Sequence, residues 1–330
     1  MPKLVVCGAI NWDMSCFVDR LPRPGEEVTV RRVSRVSGGT GGNVAVAAAR
    51  VLGPGEVSLV GALGQDTIAS RQIEALSSDG VATDAIERLP DQESGQAYIM
   101  IDSQGQNIIA SHLGANGHLS RDHILSARVT SLLEASEGLV MTDPPIEVAS
   151  SLVDRAQQNE IPVYWDPGIL IAHGWAGLAS LAAQSDSLFL NETETAALFG
   201  TEDPVGRPED LLGKQLPSNV ILKLGSRGAR VLRVADGIII EVQAFPLHEL
   251  GFTLASTVGC GDAFVGVFAA YRVLGASLRD ALEMATVAAG LNAARDETRG
   301  SPGRTSLEAA LGRAHGLGYR ATERPFPEEG

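Results

Sequence analysis

The chain has 330 residues, 44% of them hydrophobic and 20% charged. That is room for two ordinary domains or one large α/β unit, and it excludes a disordered chain. Its 26 Lys and Arg stand against 40 Asp and Glu, a net charge of −14, which argues against nucleic acid or an anionic membrane surface as a partner.

The run Lys3–Ile10 ends at Asn11-Trp12-Asp13 without a small-residue cleavage site, so it reads as a buried first strand rather than a leader. Polar residues at the carboxyl end of such a strand are where ligands bind in open α/β sheets, which brings Asn11 and Asp13 forward. A turn-forming Asx pair is the plainer reading of the same two residues. Ser15–Val36 and Gly95–His112 are strand-like without partner helices. Ser103-Gln104-Gly105 marks a hairpin in the second. The two segments are expected to form a small separate sheet. Between them, Ser37-Gly38-Gly39-Thr40-Gly41-Gly42-Asn43 leads into an apolar helix ending at Leu52. Its glycines permit backbone contact with a polar ligand, and Asn43 offers a donor and an acceptor. The loop is neither G-x-G-x-x-G nor a Walker A sequence.

Beyond it, Val57–Gly61 reads as a strand and Thr67–Ser78 as an amphipathic helix. The short apolar runs Gly138–Met141, Pro162–Asp166 and Ser187–Leu190 alternate with helices such as Glu147–Asn159 and Glu192–Phe199, the pattern of a βαβ fold. Asn191 and Glu194 at the start of the latter helix suit either a capping pattern or a water-mediated Mg²⁺ site. Val220–Leu224, Ala229–Val234 and Ile238–Val242 read as a meander, with Lys223, Gly225 and Gly228 at its first turn. Ser256-Thr257-Val258-Gly259-Cys260-Gly261-Asp262 feeds the apolar helix Gly261–Leu274. Free N–H groups at such a helix start make an anion site. Asp262 there suits a base beside a transferred phosphoryl group, or an ordinary N-cap. Helices Leu278–Ala294 and Ser306–Ala314 and a polar, frayed tail Thr322–Gly330 complete the chain. No apolar run approaches the roughly 18 residues of a membrane span. The three cysteines lack C-x-x-C spacing, which suits a reducing, cytoplasmic setting. The six histidines show no H-x-x-x-H pair, so zinc has no support.

Together, from Val5 to about Pro302, these features resemble the ribokinase/PfkB family of carbohydrate and nucleoside kinases. The resemblance is carried by Gly38-Gly39-x-Gly41-Gly42-Asn43-x-Ala45, Gly61-x-Leu63-Gly64-x-Asp66, Gly114-Ala115-Asn116 and Thr257 through Asp262. It implies an α/β fold with a mostly parallel central sheet, helices on both faces and a small β-sheet lid. The chain is then one kinase domain over 1–330, with lid segments at about 14–36 and 95–112. It also implies transfer of the γ-phosphoryl of ATP, or of ADP's terminal group in some relatives, to a sugar-type hydroxyl with Mg²⁺.

On that resemblance Asp262 is the catalytic base, and Gly259, Cys260 and Gly261 form the anion hole. Asn11, Asp13, Gly39, Asn43 and Asp143 contact the sugar. Asn191, Lys223, Gly225 and Gly228 contact the nucleotide, and Glu194 holds the metal through water. The chain also departs from the family. Ser256 replaces an Asp that helps hold a monovalent cation, which argues against activation by K⁺. Lys223 replaces a Thr and brings a positive charge toward the phosphates. Thr40 stands where ribokinases often carry Lys, which weakens a strict ribose specificity. Thr298-Arg299-Gly300-Ser301 only approximates the family pattern. The expected partner is a small-molecule sugar or nucleoside, and apolar lid faces would permit a homodimer. The rival from another class is a non-catalytic sugar or nucleotide sensor on the same fold. Ser256 hints at it, and retention of Asp262 argues against it.

Overall fold

The computed structural model describes residues 2–104, 106–201, 211 and 214–325. In chain order its strands are β1 (Leu4–Cys7), β2 (Asn11–Phe17), β3 (Arg32–Gly38), β4 (Val57–Gly64), β5 (Val81–Ala82), β6 (Ile86–Leu89), β7 (Gly95–Ile101), β8 (Asn107–His112), β9 (Gly138–Met141), β10 (Val163–Trp165), β11 (Ser187–Asn191), β12 (Asn219–Lys223), β13 (Ala229–Arg233), β14 (Ile238–Val242) and β15 (Thr322–Pro325). The helices are α1 (Thr40–Leu52), α2 (Thr67–Ser78), α3 (Arg121–Ile124), α4 (Ala127–Glu134), α5 (Ile146–Gln158), α6 (Gly174–Ala183), α7 (Glu192–Phe199), α8 (Cys260–Val273), α9 (Leu278–Ala293) and α10 (Arg304–Gly316).

β1 and β9 are continuous apolar runs, buried on both faces as strands inside a parallel sheet must be. Among the described residues, eleven strands make the large sheet, in the order β15-β14-β13-β12-β11-β10-β9-β1-β4-β5 with β6 also against β4. Pairing is parallel from β12 through β5 and antiparallel from β12 outward to β15. α1, α8, α9 and α10 pack on one face, and α4, α5 and α6 cover the other. α8 is anchored edge-on against β11, where Phe189 meets Phe264 and Phe268 at centroid distances of 6.3 and 5.2 Å. Losing a buried aromatic of this kind costs about 3–5 kcal/mol, so the start of α8 stands on a rigid base. α1 begins hard against the end of β1, where a Cβ on Gly41 would overlap the Gly8 backbone.

The second sheet has four strands in the order β3-β2-β7-β8. It is the lid expected from the strand-like segments without helices. Its first strand starts at Asn11, because Gly8 to Ile10 leave the large sheet and the chain pairs with β3 and β7 directly. Asn11 and Asp13 therefore lie on the lid, not on a tail of the first core strand. The alternating character read over Glu27–Val36 yields a strand only from Arg32, with residues 26–31 in an irregular connection. β7 and β8 pair antiparallel, and Asp102 Oδ1 accepts from the N–H groups of Gln104 and Gln106 at their junction. Gly105 of that hairpin signal lies outside the described residues. The polar tail does not fray throughout: Thr322–Pro325 pairs with β14, and residues 326–330 lie outside the described set.

Candidate active site

The carboxyl ends of β1, β9, β10 and β12 converge on the starts of α1 and α8. Gly259 caps α8 in the left-handed region at φ 76°. A Cβ there would overlap the Thr298 carbonyl, so conformation and space both require glycine. Cys260, Gly261 and Asp262 form the first turn, whose N–H groups have no intrahelical acceptor. Ser256 Oγ accepts from the Val258 N–H at 3.2 Å and so shapes the turn leading into the helix.

Asp262 sits at the centre of this arrangement. Its Oδ2 accepts from Asn43 Nδ2 at 2.8 Å. Asn43 lies one turn inside α1, which starts at Thr40 with Gly39 as N-cap at φ 85°. Burial pushes the Asp262 carboxyl up to about 6, with Asp166 and Asp143 pushing the same way and Asn43 and Lys223 opposing. Lys223, at the end of β12, is ion-paired with Asp166 just beyond β10, and both are largely buried. A Cβ on Gly261 would lie 3.7 Å from the Lys223 Nζ, so this ammonium borders the first turn of α8. Burial alone would drive Lys223 down; Asp166 and Glu194 outweigh it and hold its pKa above the ordinary lysine value.

Asn191 and Glu194 make a reciprocal capping box at the start of α7: Asn191 Oδ1 accepts from the Glu194 N–H, and Glu194 Oε2 accepts from the Asn191 N–H, both at 2.8 Å. The Glu194 carboxyl is raised by burial and by Asp166, so it also belongs to the acidic edge of the Lys223 cluster. Gly225 and Gly228 flank a short turn between β12 and β13, at φ 55° and 90°, with Gly225 facing Glu192 of α7.

On the lid side, Asp13 is 6% exposed and packs on Gly38. Burial pushes its carboxyl up to about 7; Arg299 lowers it and Asp262 raises it. Asn11 Oδ1 accepts from Asn116 Nδ2 at 2.9 Å, and Asn116 Oδ1 accepts from the Ile10 N–H. Asp143, just beyond β9, uses Oδ1 to accept from Thr40 Oγ1 at 2.8 Å, Thr142 Oγ1 at 2.9 Å and the Ala9 N–H at 3.2 Å.

The structure thus gathers Asn43, Asp143, Lys223, Gly259, Cys260, Gly261 and Asp262 on one cleft floor, with Asp13 facing them from the lid. It ties Asn11 to Asn116 and sets Asn191, Glu194, Gly225 and Gly228 along the α7 side. Sequence reasoning passed over Asp166 as a functional residue, although it ends an apolar strand on the side where ligands bind. It also gave no role to Arg299, whose partner Asn43 is 256 positions away.

The family that the sequence resembles implies a divalent cation. Among the described residues no three His, Cys, Asp or Glu side chains cluster as a metal cage. The oxygen donors Asp166 and Glu194 suit a hard ion that keeps several waters and leans on phosphate oxygens, as Mg²⁺ does.

The sequence pattern of the pfkB family carbohydrate kinases matches residues 1–303. The chain belongs to this family. The kinase is accordingly a phosphotransferase with an alcohol group as acceptor. It is 28% identical over 315 residues to a ribokinase of Bacillus subtilis, covering 94% of this chain and 100% of that protein. It is 26% identical over 314 residues to an ATP-dependent ribose-1-phosphate kinase of Halopiger xanaduensis, covering 94% and 98%. The solved Arabidopsis thaliana ribokinase, in complex with ribose and ATP, superposes with a TM-score of 0.81 at 27% identity, over 94% of this chain and 98% of that one. The fold expected from the sequence, a mostly parallel sheet with a small β lid, is the fold found. Among the described residues no helix is long and apolar enough to cross a membrane.

Proposed function

We propose that this kinase transfers the γ-phosphoryl group of ATP to a hydroxyl of a ribose-like sugar, with Asp262 as general base. The observation that carries the reading is the half-buried Asp262 carboxylate at the first turn of α8, held by Asn43 with Lys223 close by. Its pKa of about 6 leaves it ionised at neutral pH and basic enough to take a proton from the acceptor hydroxyl as that oxygen attacks phosphorus. ADP leaves as the new P–O bond forms. The Gly259–Gly261 backbone and the Lys223 ammonium stabilise the charge on the transferred group. Asn191, Gly225 and Gly228 border the nucleotide. Glu194, with Asp166, would hold Mg²⁺ through water, and the ion would supply positive charge for the phosphate oxygens.

Asp13, Asn43, Gly39 and Asp143 take the acceptor hydroxyls, and Asn11 reaches them through its Asn116 pair. Three carboxylates, Asp13, Asp143 and Asp262, mark the acceptor side. Among the described residues near them, Arg299 is bonded to Asn43 and Gly38 and Lys223 is paired with Asp166, while Arg32 of the same lid face lies over the Phe17 ring at its outer end. That balance favours an uncharged acceptor over a sugar phosphate. A nucleoside is the second reading, favoured by the apolar lid face that carries Asp13. The register puts Phe17, Ile99, Ile101 and Ile109 on that face, and Tyr98 and Met100 on the other. Tyr98, Ile108 and Val33 are exposed on the outward face, where a second copy could pair. Asp substitution of Tyr98 and Ile108 should then shift a dimer to monomer in sedimentation.

The deciding experiment is ADP release from Mg²⁺–ATP against D-ribose, 2-deoxyribose, adenosine, inosine, ribose 1-phosphate and ribose 5-phosphate, repeated with ADP as donor. Turnover of ribose with ATP supports the reading. Turnover of a sugar phosphate alone overturns the charge argument, and no turnover on a panel widened to hexoses favours the sensor.

A further inference from the structure

The Arg299 side chain is 9% exposed, and its guanidinium meets the start of α1, the end of β3 and the end of α2. Nε donates to Asn43 Oδ1 at 3.0 Å, Nη2 to the Gly38 carbonyl at 3.4 Å, and Nη1 lies 3.9 Å from the Asp79 carboxylate. Arg50 fixes the same segment from the last turn of α1. Its Nη1 donates to the carbonyls of Arg299 and Ser301 at 2.5 and 2.7 Å, and its Nη2 to Asp79 at 2.8 Å.

A side-chain amide has one accepting end and one donating end. With Asn43 Oδ1 taken by a guanidinium, the NH₂ end is left to meet Asp262, which it does at 2.8 Å. The flipped amide would point NH₂ at Arg299 and its oxygen at the carboxylate. Both contacts would be repulsive in a buried place where such mismatches are costly.

We propose that Arg299 is a positioning residue for phosphoryl transfer: it locks the Asn43 amide so that its NH₂ end always donates to Asp262. This rests on Asp262 being the base. The lock aims the carboxylate and keeps it ionised to a lower pH than burial alone allows. The charged groups facing Asp262 are Asp166, Lys223, Asp143, Asp13 and Arg299. Of these, Arg299 is the one bonded to Asn43 Oδ1. Removing it frees the amide and deletes a cation, and both changes push the Asp262 pKa upward.

The test is a set of variants assayed with Mg²⁺–ATP and the acceptor of highest turnover in the panel above. R299Q should lower kcat by about 10–100-fold, as a slight misplacement of a reacting group does, with the KM for ATP unchanged. Its kcat/KM should also reach half-maximum at a higher pH than the parent's. Parental kcat with a parental acid limb would overturn the proposal, as would a lower kcat with an unmoved acid limb, which marks a merely structural role. Should R299Q not fold, R299A with millimolar guanidinium chloride decides. Saturable recovery of turnover supports the lock, and recovery of the melting temperature without turnover refutes it. D262N separates the two levels. If D262N keeps its kcat, the base assignment fails. If D262N is inactive while R299Q behaves as the parent, the lock alone fails.

Discussion

The floor of the site and its lid are built on opposite terms. On the floor, each side chain at the proposed reaction centre is held by another. Asp262 is held by Asn43, Lys223 by Asp166, and α8 itself by Phe189. In the lid, β8 is exposed along its whole length and β3 along most of it. Its principal polar gift to the cleft is the single buried carboxylate of Asp13. Positioning to within fractions of an ångström calls for rigid elements, whereas a cover must open to admit substrate. On the proposed function, chemistry then belongs to the floor and acceptor capture to the lid.

Breaking the floor should therefore cost kcat. Asp262→Asn removes the proposed proton acceptor and should lower kcat by about 10²–10⁴-fold while isothermal titration still records acceptor binding; near-parental turnover would contradict the assignment. Lys223→Met removes the ammonium beside the first turn of α8 and should reduce kcat on the order of 10²-fold, read in steady-state kinetics at saturating ATP. A change confined to the KM for the acceptor would move Lys223 off the reaction centre.

Breaking the lid should cost affinity instead. Asp13→Asn should raise the acceptor KM by roughly 10-fold, the scale of one hydrogen bond to a charged group, with kcat little changed. A fall in kcat matching that of Asp262→Asn would erase the distinction between floor and lid. The smallest effect concerns Ser256, whose hydroxyl serves the local turn and brings no carboxylate. Turnover in potassium and in sodium chloride at equal ionic strength should agree, and strong K⁺ activation would show the site holds the cation by other groups.

The elements legible in the sequence were those with a local cause. Continuous apolar runs gave β1, β9 and β11, and the glycine-rich turns gave the starts of α1 and α8 with Asn43 and Asp262 beside them. Strand-like stretches without helices gave the lid. What stayed hidden depends on distant partners. Lys223 and Asp166 lie 57 positions apart, and no local pattern announces their ion pair. Asn11 looked like the end of a core strand because Gly8 does not interrupt an apolar run on paper, though it ends the pairing in space. Tyr98 and Met100 sit in a lid strand, and only the register shows that they lie on the outward face. Asn191 and Glu194 make the complete capping box of one of their two readings, and the Glu194 carboxyl also feels the charges of Asp166 and Lys223.

The burial that tunes Asp13 and Asp262 also sets a cost on folding. Their carboxyls ionise near 3.8 when the chain is unfolded and at about 7 and about 6 in the native state. Between those values the folded chain binds more protons than the unfolded one. The contribution of these two groups to stability is therefore fully present below about pH 4 and is lost as pH rises through about 7. At neutral pH the empty cleft is a place where the fold works against itself, and Asp13→Asn should raise the melting temperature there while it weakens acceptor binding. Hydroxyl groups of the acceptor would relieve the same strain by donating to Asp13. A bound acceptor should then stabilise the chain more at pH 8 than at pH 5, so the lid's carboxylate makes the protein's own stability a reporter of occupancy.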